Sequence, residues 1–203
     1  MPRTDEQNQQ IKDRRRAKII RAAIRVFATK GYNEVSVDDI TKDARCSHGL
    51  FYHYFDNKAE ILAAIVDEII VPSSYYAPCH KALEAKGVAG LKVLLSFFNG
   101  VWTAGPSVFN TAWLACQTSQ IEDIPESIVP FVKENNLYET VCVLVEQGQK
   151  EKKIVPGDPK EIALGLTDII ANNFLRLVNG GKKSPVVSSD VILGMALVGE
   201  RID

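Results

Sequence analysis

The sequence predicts an all-α protein, and three observations carry that expectation. Apolar residues recur at three- and four-residue steps along most of the chain. The nine prolines fall mostly between those runs, and no run alternates apolar and polar residues for long enough to require a sheet. With 203 residues, 46% of them hydrophobic and 24% charged, the chain can bury a sizeable core and has an ordinary globular composition. The pattern divides it into a small N-terminal group of short helices and a longer helical body.

Residues 1–13 are polar and are expected to be a disordered lead-in; with no apolar stretch they do not read as a signal peptide, which predicts a cytoplasmic protein. From Arg14 to Lys30, Ile20, Ala23, Ile24 and Phe27 make an apolar stripe opposite the basic stripe Arg14, Lys18, Arg21 and Arg25. Gly31 supplies the stop. Ser36 then serves as N-cap with Asp39 three residues on, and Val37, Ile40 and Ala44 give the second helix its packing face. After a break at Arg45-Cys46, Ser47 caps a third helix of about eight residues. Its expected core face is Cys46, Phe51, Tyr54 and Phe55, and its open face His48, Gly49, Tyr52 and His53.

Two short helices joined by a tight turn and braced by a longer one form a helix-turn-helix, whose second helix enters the DNA major groove. Charge agrees with this reading: residues 1–60 hold 12 Lys+Arg against 9 Asp+Glu, while the remainder holds 12 against 16. A mildly basic head on an acidic body suits a protein that places only its head on a polyanion. The residues expected at DNA are Ser36, Arg45, Ser47, His48, Gly49, Leu50, Tyr52, His53 and Lys58. The two serine-capped helix starts offer free N–H groups to phosphates, and Lys58 is a candidate phosphate clamp. Tyr54 reads as core.

Residues 15–62 resemble the DNA-binding head of the tetracycline-repressor (TetR) family of bacterial transcription regulators. The resemblance rests on Ile19-Ile20, Ala22-Ala23, Phe27, Gly31-Tyr32 and Ser36-Val37-Asp38-Asp39-Ile40. It rests above all on the run from Ser47 to Phe55 followed by Asn57-Lys58 and Ile61-Leu62. It implies a double-stranded DNA operator, a small-molecule effector held in the body and a homodimer. His48, Leu50 and Arg45 stand where the family often has a lysine, a small or polar residue and a glycine, departures that bear on which DNA is chosen.

A linking helix is expected at 57–71, with Ile61, Leu62, Ile65 and Ile69 buried and Pro72 ending it. The domain division is thus a head at 14–58, the link at 57–71 and an effector-binding and dimerisation body at 72–203. Residues 93–121 carry no Asp, Glu, Lys or Arg, but Gly105-Pro106 and several Asn and Gln residues argue for a pair of soluble helices rather than a membrane span. Their bulky aromatics with a few polar groups among them read either as plain core or, as the resemblance implies, as the walls of a largely apolar cavity. Its candidate walls are Phe98, Trp102, Phe109, Asn110, Trp113, Gln117, Tyr138 and Phe174, with Tyr75, Tyr76, His80 and Asn173 weaker.

One long helix is expected at 128–150 and another at 159–178, opened by Asp158, Pro159 and Glu161. The second is apolar over most of its girth, so it must bury two sides. Leu137, Val141, Leu144, Ile162, Leu166 and Ile169 are the expected contacts of a four-helix dimer interface, as the resemblance implies. A last helix is expected within 186–198.

The four cysteines form no C-x-x-C pair, the three histidines have no metal spacing with them, and no phosphate loop, G-x-S-x-G or dinucleotide fingerprint is present. The expectation is therefore no metal, no cofactor and no enzymatic activity. The function expected is a ligand-responsive regulator, a repressor released from a palindromic operator by a small molecule. A DNA binder that works without an effector is the alternative, and a small-molecule enzyme a remote one.

Overall fold

The structure is a computed structural model describing residues 5–72 and 78–199. Among these the regular structure is helical, apart from one isolated bridge between Ile154 and Leu197. Tyr75 and Tyr76 lie outside the described residues.

The first helix, α1 (Asp5–Lys30), is longer than its apolar stripe. Residues 5–13, expected to be disordered, continue it as helix. Asp5 and Glu6 suit the positive helix start, Gln9 Nε2 donates to Asp13 four residues on, and the Tyr54 hydroxyl donates to Lys12 O across 3.1 Å. Gly31 stops α1 at a φ of +82°, as expected.

The helix α2 (Val37–Ala44) opens on a full capping box. Asp39 N–H donates to Ser36 Oγ, and Ser36 N–H donates back to Asp39 Oδ2 at 3.0 Å. It ends at Arg45, whose φ of 50° is left-handed, and Ser47 then caps α3 (His48–Tyr52) through Leu50 N–H. At five residues α3 is shorter than expected. Asn57 caps α4 (Lys58–Ile65), and a π-helical turn, Val66–Ile70, completes the link before Pro72.

In the body, α5 (Pro78–Ala85) and α6 (Gly87–Thr103) pack closely because Gly90 has no side chain; a Cβ there would run into Ala82 O and the Leu144 side chain. Gly105 caps α7 (Pro106–Gln117), with Pro106 as its first residue.

The single helix expected at 128–150 is two: α8 (Val129–Glu134), after a short 3₁₀ turn, and α9 (Leu137–Lys150). The pair Asn135-Asn136 causes the break. Asn135 Nδ2 donates to Phe131 O, and Asn136 caps α9 through Glu139 N–H, so both side chains compete with continued helix. The helix α10 (Pro159–Gly180) is capped by Asp158 and closed by Gly181, and Ser188 opens α11 (Ser189–Ala196).

Two hydrophobic cores result. The body core gathers Phe98, Trp102, Trp113, Leu144, Phe174 and Ile192 from α6, α7, α9, α10 and α11. The head core gathers Phe27, Ile40, Phe51, Phe55, Leu62 and Ile65, and it also contains Leu114, Ile121, Ile128 and Phe131 from the body side. Conversely, Ala28 of α1 belongs to the body core. Head and body therefore share walls. Among the described residues no helix is long and apolar enough to cross a membrane.

Candidate nucleic-acid interface and body cavity

The turn between α2 and α3 places Ser47, His48, Gly49, Tyr52 and His53 on an open face, while Phe51 is fully buried beneath them. His48 and Tyr52 are one helical turn apart, with ring centroids separated by 6.5 Å, and Tyr52 is 53% exposed. His48 Nε2 lies 3.1 Å from Asp38 Oδ1, which holds the imidazole against α2. No Cβ contact would crowd Gly49, so this edge of α3 is open to close approach. Arg45 is exposed at the turn, whereas Leu50 packs in part against the head core.

Two of the expected contacts are engaged inside the head instead. The Ser36 hydroxyl and amide both donate to Asp39 Oδ2, at 2.8 and 3.0 Å, so the serine's own donors are spent on the cap. Lys58 donates to Tyr32 O, Asn33 O and Val35 O at 2.9, 3.0 and 3.1 Å, and its ammonium sits 4.6 Å from the Tyr32 ring centroid. Three donors on three carbonyls leave no N–H for a phosphate. The expected clamp is thus a brace for the loop between α1 and α2.

Ion pairs stiffen the platform. Arg25 pairs with Asp43 and Lys30 with Asp39, both joining α1 to α2. The Lys30 ammonium, with the Ser36 amide and hydroxyl, holds the Asp39 carboxyl well below the usual carboxylate range. Arg16 makes a two-pronged pair with Glu68 of the π-helical turn and lies 5.1 Å from the Phe55 ring centroid. That pairing raises the guanidinium pKa further and ties α1 to the link.

In the body, the expected cavity residues close on one another. Trp113 stacks on Phe174 at 5.3 Å, Phe98 on Trp102 at 6.1 Å, and Phe98 meets Phe174 edge-on at 5.7 Å. A small cavity of about 20 Å³ lies beside this cluster. Its walls are Pro78 and Cys79, Phe97 and Phe98, Ala112, Ala115 and Cys116, then Phe131, Asn135 and Leu137. Of the expected residues only Phe98 is among them. Trp102, Phe109, Asn110, Trp113, Gln117, Tyr138 and Phe174 are not; for Asn110, Trp113 and Gln117 the reason is that α7 presents its 112–116 side to the void.

Among the described residues, five buried side-chain polar atoms lack a hydrogen-bond partner: Trp102 Nε1, Asn110 Oδ1, Trp113 Nε1, Gln117 Oε1 and Asn135 Oδ1. Four of them belong to residues expected at the cavity, and the fifth belongs to its wall. Asn135 is the member that sequence reasoning missed; the Asn-Asn pair inside an apolar run was its available signal.

Three of the six expected dimer contacts face inward. Val141, Leu144 and Leu166 are buried in the body core, and Leu137, Ile162 and Ile169 pack against it. The exposed apolar residues of this region are Val143, Leu164 and Leu175, with Val191 and Met195 on α11. The helix α10 does have two apolar sides: Leu166 is on the inner one and Leu164 and Leu175 on the outer, while Ile162 and Ile169 stay partly exposed.

The geometry defines an all-helical fold with an N-terminal helix-turn-helix. Residues 19–65 match the family described as "Bacterial regulatory proteins, tetR family". This head is therefore similar to the DNA-binding region of tetR-family regulators. It is 47% identical to the transcriptional regulator AcuR of Cereibacter sphaeroides over 49 residues, 24% of this chain and 22% of that protein. The chain spans less than a third of the length of the curated relatives it matches first. The fold of the whole chain is similar to a HlyIIR mutant protein, with a TM-score of 0.64 at 16% identity, covering 98% of this chain and all of the other. It is also similar to AibR "in complex with isovaleryl coenzyme A and operator DNA", with a TM-score of 0.58 at 18% identity over 89% of this chain and 95% of the other.

Proposed function

We propose that this protein is a ligand-responsive repressor that binds a palindromic operator as a cytoplasmic homodimer and is released by a small molecule. The observation that carries the reading is the open row of Ser47, His48, Tyr52 and His53 on a short helix braced against α1 and α2 by ion pairs. The division of labour is a head at 14–58, a link at 57–71 and a body at 72–203. Ser47 and the free N–H groups after it take phosphate, His48 reads a base edge, Tyr52 and His53 donate to the backbone, and Arg45 adds a phosphate contact from the turn.

Two heads on a two-fold axis engage successive major grooves about 34–36 Å apart. The exposed apolar side of α10, with Leu164 and Leu175, is the surface that suits the partner. An effector acts by preferring a body arrangement in which the head spacing is wrong, and it shifts the equilibrium only by its differential affinity. Leu114 and Phe131, body residues seated in the head core, are the contacts through which the shift passes. The solved complex of AibR with both a coenzyme A thioester and operator DNA supports the combination for this fold.

Selection of bound DNA from a random pool tests the reading. A palindrome with half-sites one helical turn apart is the expected product, and an asymmetric or unselected pool refutes it. An effector-independent DNA binder is the second reading, favoured by the tight aromatic packing around Phe174.

A further inference from the structure

The geometry points to a specific ligand chemistry. The cavity beside α7 takes a neutral, mainly apolar molecule carrying a hydrogen-bond donor, an alcohol or a phenol, with the donor given to Asn135 Oδ1. This rests on the reading of the body as the effector-binding part and adds the chemical class of the effector.

Asn135 is 8% exposed, and its Nδ2 donates to Phe131 O at 3.0 Å. That bond fixes the amide, because a flip would set two acceptor oxygens against each other. Oδ1 is then committed as an acceptor, and it is buried without a partner in the wall of the cavity. Leaving such an atom unsatisfied is costly, and a donor brought by an occupant removes the cost.

The other walls select against charge. Among the described residues that line the cavity there is no Asp, Glu, Lys, Arg or His. Its two thiols, Cys79 and Cys116, are pushed up by burial and stay neutral. A carboxylate or ammonium here loses its hydration with no opposite charge to replace it. Phe97, Phe98, Ala112 and Leu137 offer apolar contact instead.

At about 20 Å³ the cavity has room for one water, so a larger occupant must displace a wall. Phe97 and Leu137, both partly exposed, can yield toward solvent. Phe131 is the wall with a consequence, because it is also part of the head core. Occupancy and head position are therefore linked through one side chain.

Calorimetry on the full chain, without DNA, tests this with three probes of similar size: p-cresol, 4-methylanisole and 4-methylbenzoate. The expected order is p-cresol about tenfold tighter than 4-methylanisole, which accepts but cannot donate, with no binding of 4-methylbenzoate. Asn135→Leu should erase the difference between the first two. Ala112→Leu, which fills the cavity, should abolish binding of both with helical circular dichroism retained. The probe comparison uses the unaltered protein, so it stands even where a variant fails to fold. Equal affinity for p-cresol and 4-methylanisole overturns the inference, as does preference for 4-methylbenzoate or no heat from any probe. Binding of p-cresol in the expected order with operator affinity unchanged supports the cavity chemistry and refutes the effector reading instead.

Discussion

Trp113 and Leu114 are consecutive residues of α7 buried in different cores. Trp113 stacks on Phe174 in the body, and Leu114, fully buried, is packed among the head residues. One turn of one helix is thus anchored in both cores. Leu114→Ala should destabilise the protein by about 2–5 kcal/mol, the range for a buried leucine whose site collapses incompletely. Urea unfolding measures it, and a loss below about 1 kcal/mol would show that the two cores are not joined there.

Lys58 separates two roles by salt dependence. If it braces the loop through Tyr32 O, Asn33 O and Val35 O, Lys58→Met should lower stability by about 1.5–3 kcal/mol and leave the salt slope of DNA binding unchanged. A phosphate clamp would instead reduce that slope by about one while sparing stability.

On the open face of α3, His48→Ala and Tyr52→Ala should change stability by less than about 0.5 kcal/mol, since both side chains are exposed. Their effects on DNA should differ. His48→Ala should relax preference at one base pair by about 1–3 kcal/mol, and Tyr52→Ala should weaken all sequences alike. Binding assays against a set of single-base operator variants distinguish them, and identical profiles would remove the assigned roles.

The depressed pKa of Asp39 makes α2 acid-sensitive. Its folded pKa lies below the unfolded value of about 3.9, so its stabilisation is complete above that pH and is lost as pH falls through the folded value. Asp39→Asn should lower stability at neutral pH and flatten the fall in stability below about pH 4. An unchanged acid profile would show that the Lys30 and Ser36 partners do not hold the carboxylate in solution.

For the dimer, Leu164→Glu with Leu175→Glu should give monomers in sedimentation, because these side chains are 53% and 40% exposed on α10. Leu144→Ala should instead lower stability through the body core, by about 2–5 kcal/mol. Dimers that survive the double substitution would place the interface elsewhere.

The head was legible in the sequence because its signals are local. Ser36, Ser47 and Asn57 announce caps, Gly31 a stop, and the apolar steps of α1 a buried stripe. The shortness of α3 and the internal engagement of Ser36 and Lys58 escaped, and so did the lead-in, since the contacts that hold residues 5–13 in helix include a hydroxyl more than forty residues away. The body was legible in its elements but not in its rotations. A helix apolar around most of its girth, such as α10, gives no phase, so Leu166 and Leu164 could not be told apart from periodicity alone. On α7 the aromatics were rightly buried, yet which side meets the void depends on how α5, α6 and α8 pack against it. The Asn135 break was hidden inside a run whose apolar spacing continues across it.

The left-handed backbone at Arg45 marks a trade of fold strength against grip. A side chain other than glycine in that conformation costs roughly 1–2 kcal/mol, and glycine would adopt it freely. Relieving the turn with Arg45→Gly would give a sturdier head and remove a guanidinium from the edge proposed to face DNA. The turn is therefore a place where a more heat-resistant protein and a tighter DNA binder are different molecules.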